Sequence, residues 1–224
     1  DDPFPLLVKL IDARLPLSVQ VHPDDAYAAR VEHGPGKTEM WLVLDHEPGA
    51  FLYLGFEREL TREELERRIG DGSLTDVLHR VEVRKGNRFF IPAGTIHAIG
   101  GGILIAEVQQ SSDLTYRVFD YGRTGPDGRS RPLHVAKALD VMRPGPAGLA
   151  VPGARPARPV PGGTLERLAN CPHFRVELLE LAGRWERAAD RDTFHALLCL
   201  DGTAALRAGS TVLSARKGAS LFVP

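Results

Sequence analysis

Short apolar runs of strand length, punctuated by glycine and proline, recur along this chain and leave little room for long helices. Residues 5–11 are rich in Leu, Val and Ile, residues 17–22 alternate apolar and polar, and 38–44 and 50–54 are brief apolar stretches. The same texture returns at 81–83, 88–91, 103–110 and 115–121, and again at 174–181, 193–200, 203–207 and 220–223. Runs this short, bounded by turn residues, read as strands. Many of them with few helices predict a mainly β fold, a sandwich or barrel with helical decoration. One helix is signalled by Thr61 and Glu64, an S/T-x-x-E capping box, with Leu65 and Ile69 four apart on one face and Gly70 as its stop. Shorter helices are expected at 74–79 and after Arg131-Pro132-Leu133, where Val135, Leu139 and Met142 fall at helical spacing.

Residues 143–163 are crowded with Pro, Gly, Ala and Arg, a composition that suits a linker better than a core. That divides the chain into a first domain at 1–142 and a second at 164–224. The two share a pattern. Lys85-Gly86-Asn87-Arg88-Phe89-Phe90-Ile91-Pro92 and Lys217-Gly218-Ala219-Ser220-Leu221-Phe222-Val223-Pro224 both read Lys-Gly, two variable residues, three apolar residues, Pro. Such self-similarity predicts two copies of one fold. The chain starts close to an apolar run and stops inside a strand-like pattern, so we expect the N-terminal part of the first domain and the later strands of the second to lie outside it.

Bulk properties exclude several classes. With 28 basic against 29 acidic side chains there is no cationic excess of the kind nucleic acid binding leaves. No apolar run approaches the roughly 18 residues that span a bilayer, and no charged-then-apolar leader opens the chain. Cys171 and Cys199 are too few and too far apart for a disulfide framework or a zinc knuckle. We therefore expect a cytoplasmic protein with reduced thiols. No extra apolar face stands out, so the expected state is a monomer.

The chemistry is concentrated in the first domain. Ser18, Gln20 and His22 stand at i, i+2 and i+4 of a strand-like segment, which puts them on one face. Lys37 and Glu39 repeat that spacing ahead of an apolar run, and so do Glu107 and Gln109. Three strands that each turn polar groups one way describe either a polar pocket or the wet side of open sheets, and spacing alone leaves both open. Asp24 and Asp25 read as turn residues, Gly100-Gly101-Gly102 as a hairpin rather than a phosphate loop, and His33, His46, His79, His134, His173 and His195 as structural or surface residues.

Gly86, Pro92, Gly94 and His97 follow the spacing G-x5-P-x-G-x2-H, which resembles the second cupin motif and arises by chance roughly once in a thousand chains of this length. More specifically, 16–25 (Pro-Leu-Ser-Val-Gln-Val-His-Pro-Asp-Asp), 36–41 (Gly-Lys-Thr-Glu-Met-Trp), 94–100 (Gly-Thr-Ile-His-Ala-Ile-Gly), 106–113 (Ala-Glu-Val-Gln-Gln-Ser-Ser-Asp) and 116–121 (Tyr-Arg-Val-Phe-Asp-Tyr) resemble the signatures of the type I mannose-6-phosphate isomerases, in the short bacterial form. The likeness covers roughly residues 4–142 in order; beyond 163 it fades to a general cupin pattern.

The resemblance implies two cupin, jelly-roll-like β-barrel domains and an aldose–ketose isomerase that interconverts mannose 6-phosphate and fructose 6-phosphate. It implies metal ligands at Gln20, His22, Glu39 and His97, with one Zn²⁺ per chain; the mixed N/O donor set by itself accepts other first-row metals. It also implies Lys37, Glu107 and Arg117 as catalytic residues. Arg117 suits an anion, Glu107 is the first candidate for moving the proton and Lys37 the second, and Ser18 joins Lys37 and Arg117 in holding the substrate. Two other readings compete: a cupin oxygenase with a His/His/Glu iron site, and a sugar-binding cupin without turnover.

Overall fold

The computed structural model describes residues 4–125, 127–188 and 192–224. It divides into two units, one running to Val160 and including Thr164–Glu180, the other made of Pro161–Gly163 and Leu181–Pro224.

In the first unit the predicted runs become strands β1 (Leu6–Ala13), β2 (Val19–Val21), β3 (Glu39–His46), β4 (Phe51–Phe56), β5 (Leu78–Glu82), β6 (Arg88–Ile91), β7 (His97–Ile99), β8 (Ile103–Gln110) and β9 (Tyr116–Phe119). They form two sheets, ordered β1-β8-β3-β6 and β5-β4-β7-β2-β9. The expected mainly β character holds, and among the described residues hydrogen bonding leaves the strands as two separate sheets.

Strand alternation decides what lies between the sheets. Across the first sheet, Ile11 pairs with Ile105 and Ile105 with Val43; two residues along each strand, Lys9 pairs with Glu107 and Glu107 with Trp41; two further, Gln109 pairs with Glu39. The inner face thus runs from apolar to polar along one direction. Its apolar part packs with Leu52, Leu54 and Ile99 of the second sheet in one buried core. The second sheet's other face carries Val19, Val21, Ala98, Tyr116 and Val118, which pack under helices α2 (Arg62–Asp71) and α3 (Val135–Val141). At about 25 cal/mol per Å² of apolar surface removed from water, these two layers supply the main drive to fold.

Helix α2 is capped as expected, with Thr61 Oγ1 accepting the Glu64 N–H at 3.2 Å. It does not stop at Gly70. Gly70 adopts helical backbone, and Gly72, with φ of 79°, takes the left-handed position that ends it. The helix expected at 74–79 is a single 3-10 turn, Leu74–Val77, after which the chain enters β5. One short helix was not anticipated: α1 (Asp25–Val31), whose N-cap Asp24 accepts the Tyr27 N–H at 2.8 Å. Asp24 and Asp25 therefore open a helix.

Within 143–163, residues Arg155–Val160 form strand β10, paired with β11 (Gly163–Asn170) and β12 (Arg175–Leu181) in a three-stranded sheet. The later strands pair as hairpin-sized ribbons, β13 (His195–Leu198) with β16 (Ser220–Val223) and β14 (Thr203–Ala208) with β15 (Thr211–Arg216).

The Lys-Gly repeat is also a structural one. Gly86 N–H bonds Val43 O, Val43 N–H bonds Asn87 O and Asn87 N–H bonds Arg84 O; Gly218, Cys199, Ala219 and Arg216 repeat those three bonds in the same order. Both glycines have positive φ, 87° and 83°. The repeat sets His195 opposite Val223 as Glu39 stands opposite Ile91.

Candidate active site

Three ligand-type side chains converge where the two sheets meet. Glu39 begins β3, His97 begins β7, and His22 directly follows β2; their ligand atoms all lie within 4.8 Å of one another. All three are 1 % exposed or less. Gly94 makes the turn that delivers His97. Its φ is 83°, its N–H bonds His22 O at 2.8 Å, and a Cβ there would lie 2.8 Å from Val141 O.

The tautomers follow from the hydrogen bonds. His22 Nδ1 is 2.8 Å from Leu114 O and His97 Nδ1 is 2.8 Å from Thr95 O. A carbonyl only accepts, so both Nδ1 atoms carry the proton and, in the neutral ring, Nε2 offers a lone pair. His22 Nε2 lies 3.5 Å from Glu39 Oε2, and His97 Nε2 lies 3.3 Å from Glu39 Oε1. Burial pushes the His97 imidazole down to about 3, against the pull of Glu39, so this ring is neutral. Burial works to raise the Glu39 carboxyl, but the charges of His22 and Lys37 outweigh it and hold the carboxyl below the usual range.

The lone pair of the neutral His97 ring therefore faces a carboxylate with no donor between them. His22 Nε2 and both Glu39 oxygens make no hydrogen bond. Lys37 Nζ stands 2.9 Å from Glu39 Oε2 as an ion pair, off the line a hydrogen bond requires. Buried acceptors are normally satisfied, so this arrangement calls for a cation. Two imidazoles and a carboxylate, each imidazole oriented by a backbone carbonyl behind it, fit a divalent transition metal.

Gln20 adjoins this group. It pairs in register with both His97 and Arg117, directs its amide nitrogen to His97 Nε2 at 3.3 Å, and receives the Ser18 hydroxyl on its oxygen at 3.3 Å. A cavity of about 170 Å³ opens beside it, lined among others by Ser18, Gln20, Lys37, His97 and Glu107. Glu107 is buried, with Oε2 taking the Trp41 indole N–H at 2.9 Å and Oε1 taking Lys9 Nζ at 3.0 Å. Arg117 is not among the cavity's lining residues. It lies behind Gln20, with its buried Nε making no hydrogen bond.

Lys9 was missed in the sequence. It also donates to Gln109 and lines the cavity. The run at 5–11 reads as apolar, and only pairing with a strand 98 residues away turns its single charge inward. The inner position of the odd residues, shared with Ile11, was the available signal.

No family model matches the chain. Among curated proteins it is 38 % identical to the mannose-6-phosphate isomerase of Streptococcus mutans, covering 99 % of this chain and 68 % of that protein. It is 37 % identical to the mannose-6-phosphate isomerase ManA of Bacillus subtilis, covering 100 % and 70 %. The probable mannose-6-phosphate isomerase GmuF of B. subtilis is 49 % identical over 140 residues, which are 62 % of this chain and 44 % of that protein. Among solved structures, the mannose 6-phosphate isomerase from B. subtilis superposes with a TM-score of 0.91 at 33 % identity, over 100 % of this chain and 70 % of the other.

Proposed function

The chain belongs to the mannose-6-phosphate isomerase family, and from that premise we infer that it interconverts mannose 6-phosphate and fructose 6-phosphate. The observation that carries the reading is the buried meeting of His22, His97 and Glu39, with His22 Nε2 and both Glu39 oxygens making no hydrogen bond, at the edge of a polar cavity.

The reaction moves a proton between C1 and C2 of an open-chain sugar phosphate, through an enediolate. His22, Glu39 and His97, with Gln20 after a half-turn of its amide, are the residues we assign to a divalent ion, proposed as zinc. When bound, such an ion supplies a Lewis acid next to the sugar's C1 and C2 oxygens. Glu107 is our assignment for the proton carrier. Lys9 and Trp41 hold one oxygen each, which fixes the carboxylate while leaving lone pairs free to accept a proton. Lys37 is the alternative carrier and a cationic partner for the substrate. Arg117, with its unpartnered Nε, is assigned to the anion, either enediolate or phosphate, and Ser18 to a sugar or phosphate oxygen.

We extend the proposal to two cupin halves, supported by the repeated Lys-Gly turn, and to a cytoplasmic monomer with both cysteines free. Among the described residues no helix is long and apolar enough to cross a membrane. The test is a coupled assay for fructose 6-phosphate formed from mannose 6-phosphate. Turnover should vanish on chelation and return with zinc. A folded, metal-loaded protein without turnover overturns the reading.

A further inference from the structure

The turn that carries Lys37 is held by side chains that take no part in the chemistry described above. Asp25 Oδ1 accepts the Gly36 N–H at 2.8 Å and the Gln110 Nε2–H at 2.9 Å. Gln110, itself buried, presents its amide oxygen to the Thr38 N–H at 2.8 Å, and its backbone N–H bonds Thr38 O at 3.2 Å. Lys37 N–H bonds Pro23 O at 2.9 Å, and Ser112 Oγ donates to Pro35 O at 2.9 Å. Each residue from Pro35 to Thr38 is thus anchored through its backbone to the segment after His22 or to the end of β8.

The fit leaves no slack. A Cβ on Gly36 would lie 2.4 Å from the Asp24 carbonyl carbon and 2.5 Å from the Asp25 nitrogen, so only glycine lets the two segments touch. Asp25 is not consumed by another strong partner: its second oxygen faces His173 Nδ1 at 4.0 Å. Beyond this clamp Lys37 runs inward, 5 % exposed, to end 2.9 Å from Glu39. A lysine stem is flexible. The backbone from which it starts therefore determines where its ammonium ends, and misplacement by about 1 Å can cost a hundredfold in rate.

We propose that Asp25 and Gln110 are positioning residues for Lys37 in the isomerase reaction: a two-residue clamp that registers the 35–38 turn against α1 and β8. The proposal rests on the isomerase reading given above. It gives Asp25 a role that its place in the first turn of a seven-residue helix would not suggest.

The test compares Asp25→Ala, Asp25→Asn and Gln110→Met with the parent protein, following kcat, KM, bound metal and melting temperature. Asp25→Ala should lower kcat about ten- to a hundredfold with metal content unchanged. Asp25→Asn should recover most of that loss, because its Oδ1 still accepts both N–H groups. In a Lys37→Gln background Asp25→Ala should have no further effect on the residual turnover. If Asp25→Ala does not fold, Gln110→Met, which removes one side of the clamp, carries the same comparison. Equal losses in both backgrounds, an Asp25→Asn variant as impaired as Asp25→Ala, or unchanged kcat in all variants overturns the clamp while leaving the isomerase reading intact. A parent protein without turnover overturns both.

Discussion

Glu39 and Asp120 are both carboxylates closed off from water, at 0 % and 7 % exposure, and their surroundings are opposite. Asp120 is saturated. Arg131 donates to both of its oxygens, at 2.7 and 2.6 Å, and Arg123 adds a further bond while its other nitrogen reaches Pro16 O. Those bonds, Arg131's first, hold its carboxyl below the usual range. The Glu39 carboxyl is held down as well, against its burial, by His22 and Lys37, yet neither oxygen makes a hydrogen bond of good geometry. A buried charge survives in a fold when it is fully partnered. Where an ion pair stands beside it but its hydrogen-bond positions stay open, it marks a place able to receive something more. Asp120 ties the loop after β9 to the segment before Ser18, and Glu39 awaits a cation.

The largest effect that can break this contrast is at Glu39 and His97. Glu39→Gln and His97→Ala should each lower turnover about a thousandfold or more, the rate equivalent of several kcal/mol of Lewis-acid stabilisation, with loss of bound metal measured by elemental analysis.

Asp120→Asn should act on stability instead. It strips charge from three bonds to guanidinium groups and should cost about 1–3 kcal/mol of stability, read from denaturant melts, with or without metal. Its kcat should stay within a few-fold of the parent. A smaller effect sharpens the contrast through pH. Asp120's folded value lies below its unfolded value of about 3.9, so its contribution is full above that pH and is lost as pH falls through the folded value. The stability gap between parent and Asp120→Asn should therefore narrow below about pH 4; a gap that stays constant there would assign the stabilisation to shape rather than charge.

Alternation made much of this molecule legible in advance. Ser18, Gln20 and His22, then Lys37 and Glu39, then Glu107, each sit at or beside the site, because strand period 2 needs only local sequence. Boundaries that depend on the neighbouring turn were less visible, as at Gly70, where the helix continues to the left-handed Gly72. Contacts set by distant pairing were hidden. Lys9 faces inward because β1 meets β8, and Asp25 becomes a clamp because α1 meets the 35–38 turn. Arg117's place behind Gln20 is likewise a matter of sheet order, with β2 lying between β7 and β9.

The placing of β8 between β1 and β3 sets a timetable for the newborn chain. Lys9 and its partner Glu107 are 98 residues apart, and ribosomes add about 5–20 residues per second, so Lys9 waits about 5–20 s before its partner exists. Until then β1 and β3 have no common neighbour, and their unpaired edges are open to strands of another nascent chain. Sheets assembled from such distant segments also fold slowly, in milliseconds to seconds. His22, Glu39 and His97 are all made before β8 begins, so the proposed metal site has its three ligands before β1 and β3 have their common neighbour.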